Sequence, residues 1–138
     1  MRKIGISLLV AAALALLIIP ALAAFVGTSD KQVKGVAEPI LDNLMQGFNQ
    51  GDYAQFSQNF DQTMRKTITE KKFQQVREDL LKKWGKYKSK TYLGFLNQKD
   101  YSMILWKAVF ADTKRDVLIK LVLSRSQDKI LVSGLWFE

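Results

Sequence analysis

From residue 33 onward the apolar positions recur at helical spacing: Val33, Val36, Ile40, Leu41, Leu44 and Phe48. Pro39 falls inside this run. The helix therefore either begins near Pro39, where a first-turn proline costs little, or starts earlier and kinks. Asn49-Gln50-Gly51 ends it, with Gly51 suited to a left-handed C-terminal position. Asp52, with Gln55 three residues on, makes a capping box for a short second helix carrying Tyr53, Phe56 and Phe60. A third helix is the clearest of the set. Thr69 can cap it, Glu70 suits its positive end, and Ile68 can staple onto Phe73. Phe73, Val76, Leu80, Leu81 and Trp84 share one face, and Gly85 ends the run.

Beyond Gly85 the period changes from 3.6 to two. Four strands are predicted, at about 86–96, 101–111, 117–125 and 129–137. The connections between them are short and polar and cannot hold crossover helices, so the strands form an antiparallel meander. Helices followed by strands is the α+β pattern: three N-terminal helices packed on a curved four-stranded antiparallel sheet. Both sheet faces carry apolar residues. Ile104, Trp106, Ala108 and Phe110, then Val117, Ile119, Leu121 and Leu123, form the purer set and are expected to face the helices. The other set is Met103, Leu105, Val109, Leu118 and Val122, with Leu131, Leu135 and Phe137 and with Lys107 and Lys120 among them. It is too apolar for a solvated face and points to a partner surface. The side on which Leu131 and Phe137 lie, as against Ile130 and Trp136, depends on strand register.

The N-terminus stands apart from this pattern. Arg2 and Lys3 precede an uncharged run from Ile4 to Ile19, and Pro20 and Ala21-Leu22-Ala23 follow. This is the arrangement of a secretory signal peptide cleaved after Ala23. The rival reading is an uncleaved anchor, since residues 4–26 are long enough to cross a bilayer. Either way the domain is expected outside the cytoplasm. The organisation is then a leader over 1–23, a flexible tether over 24–33 and one α+β domain over 34–138.

Three stretches carry a resemblance: Phe48-Asn49-Gln50-Gly51-Asp52-Tyr53, Ile68-Thr69-Glu70-Lys71-Lys72-Phe73, and Asp128-Lys129-Ile130-Leu131-Val132-Ser133-Gly134-Leu135-Trp136-Phe137. Through them the chain resembles domain of unknown function 3887, within the nuclear transport factor 2-like (cystatin-like) superfamily, over about residues 34–138. The resemblance implies a sheet curled around the helices into a cone, often with a pocket, whose other face often dimerises. These motifs are caps, turns and core positions, so the resemblance implies a fold and no activity.

Composition narrows the chemistry. The chain of 138 residues has no His and no Cys. A Ser-His-Asp triad, a thiol nucleophile, an imidazole or thiolate metal site and a disulfide are all excluded. Asp61, Asp100, Asp112, Tyr92 and Tyr101 are the pieces a small isomerase or lyase would need, but the aspartates fit caps and turns and the tyrosines fit strands. The expectation is a non-enzymatic domain without cofactor or metal. Phe56, Phe60, Phe73, Trp84, Trp106, Phe110 and Trp136 are candidates to line a cone pocket for a small apolar ligand, if they do not simply fill it. Met103, Leu105, Val109, Leu118 and Val122 are candidates for a homodimer face. The charge of +8 is uneven: residues 65–90 carry 10 basic and 3 acidic side chains. Lys82, Lys83, Lys86, Lys88 and Lys90 are its densest part. They suit either a solvated helix end or contact with an anionic membrane or wall surface. An export signal argues against nucleic acid as the partner.

Overall fold

The computed structural model describes residues 25–138. Four helices, α1 (Asp30–Gln50), α2 (Tyr53–Phe56), α3 (Gln62–Thr67) and α4 (Glu70–Trp84), precede four strands, β1 (Tyr87–Asn97), β2 (Ser102–Phe110), β3 (Val117–Ser126) and β4 (Lys129–Phe137). The strands pair in chain order as one antiparallel sheet. The α+β architecture and the meander thus follow the hydrophobic pattern. The helix count does not, because α3 is additional. The leader, with its cleavage or anchoring, lies outside the described residues.

Helix α1 starts at Asp30, capped by Ser29, and Pro39 sits inside it. Of the two readings of Pro39, the earlier start holds. The tether expected over 24–33 is corrected at the same point. Val26 is buried, its N–H donates to Ser102 Oγ at 3.0 Å, and Asn97 Nδ2 donates to the Gly27 carbonyl at 2.8 Å. The chain entering α1 is therefore fastened to the β1–β2 end of the sheet. At the far end of α1, Gly51 adopts φ 70°, and its N–H reaches back to Phe48 O at 3.3 Å. Only a residue without a Cβ takes that conformation at no cost.

Each short helix is capped by the side chain before it. Asp52 accepts from Gln55 N, Asp61 from Met64 N and Thr69 from Lys72 N. The segment before α3 also binds the sheet, with Val132 N donating to Asn59 O at 2.7 Å and Asp61 N to Val132 O at 3.0 Å. On α4, Phe73 and Trp84 are buried as expected, but Val76 is exposed.

Ile104, Trp106, Ala108, Phe110, Val117, Ile119, Leu121 and Leu123 all face the helices and are buried. β4 obeys simple alternation only in part. A register shift leaves Ser133 unpaired, because Val122 pairs with Gly134 while Leu123 pairs with Val132. Before the bulge Ile130 and Val132 point inward, and after it Leu135 and Phe137 do. Leu135 and Phe137 are thereby moved off the outer face where alternation placed them, and Trp136 is moved onto it. β1 carries two more shifts, at Lys88 and Leu93. They bring Tyr87, Lys90, Tyr92 and Phe95 to the inner side.

Candidate functional site

The interior of the curved sheet is largely filled by its own aromatics. Trp106 is fully buried, and Phe110 meets Phe48, Trp84 and Tyr87 at ring-centroid distances of 6.3, 5.5 and 5.8 Å. Phe56 lies between Phe60 at 5.4 Å and Phe73 at 4.4 Å. Of the seven pocket candidates, Phe60, Trp84, Trp106 and Phe110 therefore serve as core. Trp136 is corrected outright: it sits on the outer face and is 47% exposed. Only Phe56 and Phe73 border open space. They line an apolar cleft of about 180 Å³ together with Phe48, Ile68, Leu135 and Phe137, with Lys72, Val76 and Arg77 at its edge. Of these, Leu135 and Phe137 were hidden from sequence by the β4 bulge.

The outer face has a different character. Met103, Leu105 and Leu118 are half-buried there, and Val109 is exposed. Val122, the fifth dimer-face candidate, is covered by its own chain. The Trp136 ring lies across Gly134 beside it, so close that a Cβ on Gly134 would fall 2.5 Å from the ring and 3.3 Å from Val122 Cβ. Lys120 Nζ stands 5.9 Å from the Trp136 ring centre and pairs with Glu138 at 2.6 Å. Sequence reading missed Leu93 and Leu96, both on this side of β1. They are 55% and 53% exposed. Apart from Val76, every large hydrophobic side chain that is exposed among the described residues belongs to this face: Leu93, Leu96, Val109 and Trp136. A depression of about 260 Å³ on it is bordered by Leu93, Lys107, Asp116, Leu118 and Glu138.

The basic segment divides. Lys82, Lys83, Lys86 and Lys88 are exposed, and Lys83 Nζ lies 5.1 Å from the Trp84 ring centre. Lys90 is corrected. It turns inward and joins Glu38 at 2.7 Å and Asp42 in a shared ion pair. Burial lowers its pKa, but the hydrogen bonds and charges of Asp42 and Glu38 outweigh burial and hold it above the ordinary lysine value. Tyr92, on the same strip, donates to Asp30 Oδ1 at 2.7 Å, and Lys34 Nζ stands 5.3 Å from its ring centre. Burial first, then the bond to Asp30, raises the Tyr92 pKa; burial raises that of Tyr87. These groups bind α1 to edge strand β1.

The remaining acid candidates are engaged locally. Asp61 caps α3, Asp112 lies against Gly85, and Asp100 is in the exposed β1–β2 turn. Among the described residues no group of three or more carboxylates is placed to hold a metal ion. In comparison with known proteins, a family model described as "Protein of unknown function (DUF3887)" matches residues 42–130. No curated protein and no solved structure matches the chain.

Proposed function

The chain belongs to the DUF3887 family of proteins of unknown function, and within it we propose an exported, non-enzymatic interaction domain that works as a homodimer through the outer face of its sheet. One observation carries this reading: Leu93, Leu96, Val109 and Trp136 are exposed together on a face whose neighbouring positions are also apolar. Contiguous exposed apolar surface of this kind marks interaction sites. Charge supports a second copy as the occupant. The chain's net charge of +8 disfavours self-association in general. On this face, however, Lys120 is paired with Glu138, and Lys107 shares a depression with Asp116 and Glu138. Two such faces can meet without opposing a net charge, and a two-fold arrangement is the commonest closed solution. Export is supported by the charged start, the apolar run and Ala21-Leu22-Ala23. The absence of His and Cys, with Asp61, Asp112 and Tyr92 engaged in structural contacts, supports a role without catalysis.

Sedimentation equilibrium of residues 24–138 tests the dimer. Wild type is expected to be dimeric at about 100 μM, since a specific complex has a dissociation constant on the micromolar scale or below. Leu105→Glu is expected to give monomer, by setting an unpaired charge in the interface. Leu96→Glu, at a position already solvated in the monomer, should do the same without disturbing the fold. A monomeric wild type at that concentration overturns the reading.

A further inference from the structure

The cleft between α4 and the end of β4 combines two features that the sheet-face reading does not use. Its walls are apolar: Phe56 and Phe73 from the helices, Leu135 and Phe137 from β4. Its edge carries two cations, Lys72 and Arg77, on successive turns of α4. Arg77 is held in place, because Nε donates to Phe48 O at 2.6 Å and Nη2 to Asn49 O at 2.9 Å. Those partners are carbonyls and leave its charge unneutralised. Among the described residues no carboxylate lies within ion-pair distance of Lys72 or Arg77. Val76, between them, stays exposed at the mouth although it lies on the apolar side of α4.

An apolar slot with unpaired cations at its rim matches a ligand with an apolar tail and a single anionic head. Size narrows the class. At about 180 Å³ the cleft is smaller than the ~300–1,000 Å³ of sites for drug-sized ligands. A methylene takes roughly the room of a water molecule, ~30 Å³, so the cleft holds about six carbons. We propose that it binds a free straight-chain carboxylate of about six to eight carbons. The tail lies between Phe73 and the Leu135–Phe137 side of β4, and the head lies against Lys72 with Arg77 as the second cation.

The test is calorimetric titration of the full-length protein with butanoate, hexanoate, octanoate, decanoate and octanol. Affinity should rise about fourfold per methylene, the equivalent of ~0.8 kcal/mol, and level off at about eight carbons, where the tail outgrows the cleft. Lys72→Gln should weaken octanoate about tenfold and leave octanol unchanged. Val76→Trp, which closes the mouth from a solvated position, should abolish binding and thereby report any binding to the apolar leader. Leu96→Glu, on the opposite side of the sheet, should leave octanoate binding intact whatever it does to the oligomer. Three results each overturn the proposal: no saturable binding up to about 10 mM; affinity that keeps rising through decanoate in wild type and Val76→Trp alike; or Lys72→Gln binding octanoate as well as wild type.

Discussion

Trp106 shows how a side chain can satisfy the hydrophobic pattern and still leave a polar group unanswered. It occupies the inner face of β2, fully buried, and its Nε1–H meets no acceptor among the described residues. A buried donor without a partner costs free energy that a phenyl ring would not. Trp106→Phe loses volume but also removes that cost, and its stability should stay within about 1 kcal/mol of wild type. Phe73 has no such compensation. Its ring packs 4.4 Å from Phe56 and 5.7 Å from Tyr53. Phe73→Ala should therefore cost about 3–5 kcal/mol. Urea unfolding of the two variants reads the contrast directly. Both residues were legible as core or pocket from spacing alone. Which of the two borders open space was not, because the answer lies in how α4 tilts against β4.

At the scale of elements, caps and strand limits were the most readable features, because each is decided by a few neighbouring residues. Thr69, Asp52 and Gly51 act where local chemistry puts them. Helix α3 was not read as a helix, although Asp61 was recognised as a cap. Six residues make too short a periodic run, and an isolated helix of that length is marginal. Its stability is tertiary: Asp61 accepts from Met64 N at 2.7 Å while the preceding backbone bonds to Val132 on β4. Asp61→Ala should cost about 1 kcal/mol and speed exchange of the Met64 amide about fivefold, measured by hydrogen exchange against the Phe73 amide as an internal standard. The faces of β1 and β4 were misread or unread for a different reason. Alternation presumes an unbroken register, and both strands carry bulges, beside Gly94 and Gly134. A glycine within a strand is itself a cue for a bulge.

For the molecule as a whole, the α+β architecture was legible, while the site depended on contacts between distant segments. Lys90 reads as one of a run of lysines, yet it pairs with residues 48 and more positions earlier in the chain. Together with Tyr92 and Asp30 it joins the helical layer to the sheet's edge. This strip predicts how stability responds to alkali. Lys90 binds its proton more tightly in the folded chain than at the ordinary value of 10.5, so its contribution is complete below that pH and is lost as pH rises through the folded value. Tyr92 and Tyr87 are likewise raised above 10.0, so the unfolded chain releases these protons first and is favoured once pH passes 10.0. All three effects have one sign. The urea midpoint should be level from about pH 7 to 9.5 and fall steadily above 10. In Tyr92→Phe with Lys90→Met the fall should be shallower.

The unpaired Ser133 has a consequence for how this strand can change by insertion and deletion. A strand is a two-state code, and each added or removed residue inverts everything beyond it. Substituting Ser133 alters one small side chain, whereas deleting it restores strict parity through the end of β4. Leu135 and Phe137 would then turn to water, Phe137 would leave Phe48 and Phe110, and the Trp136 indole would be driven toward a core already filled by Phe110. Loss of the least bulky polar residue in the strand is thus the costlier lesion, and length here is tolerant only in steps of two.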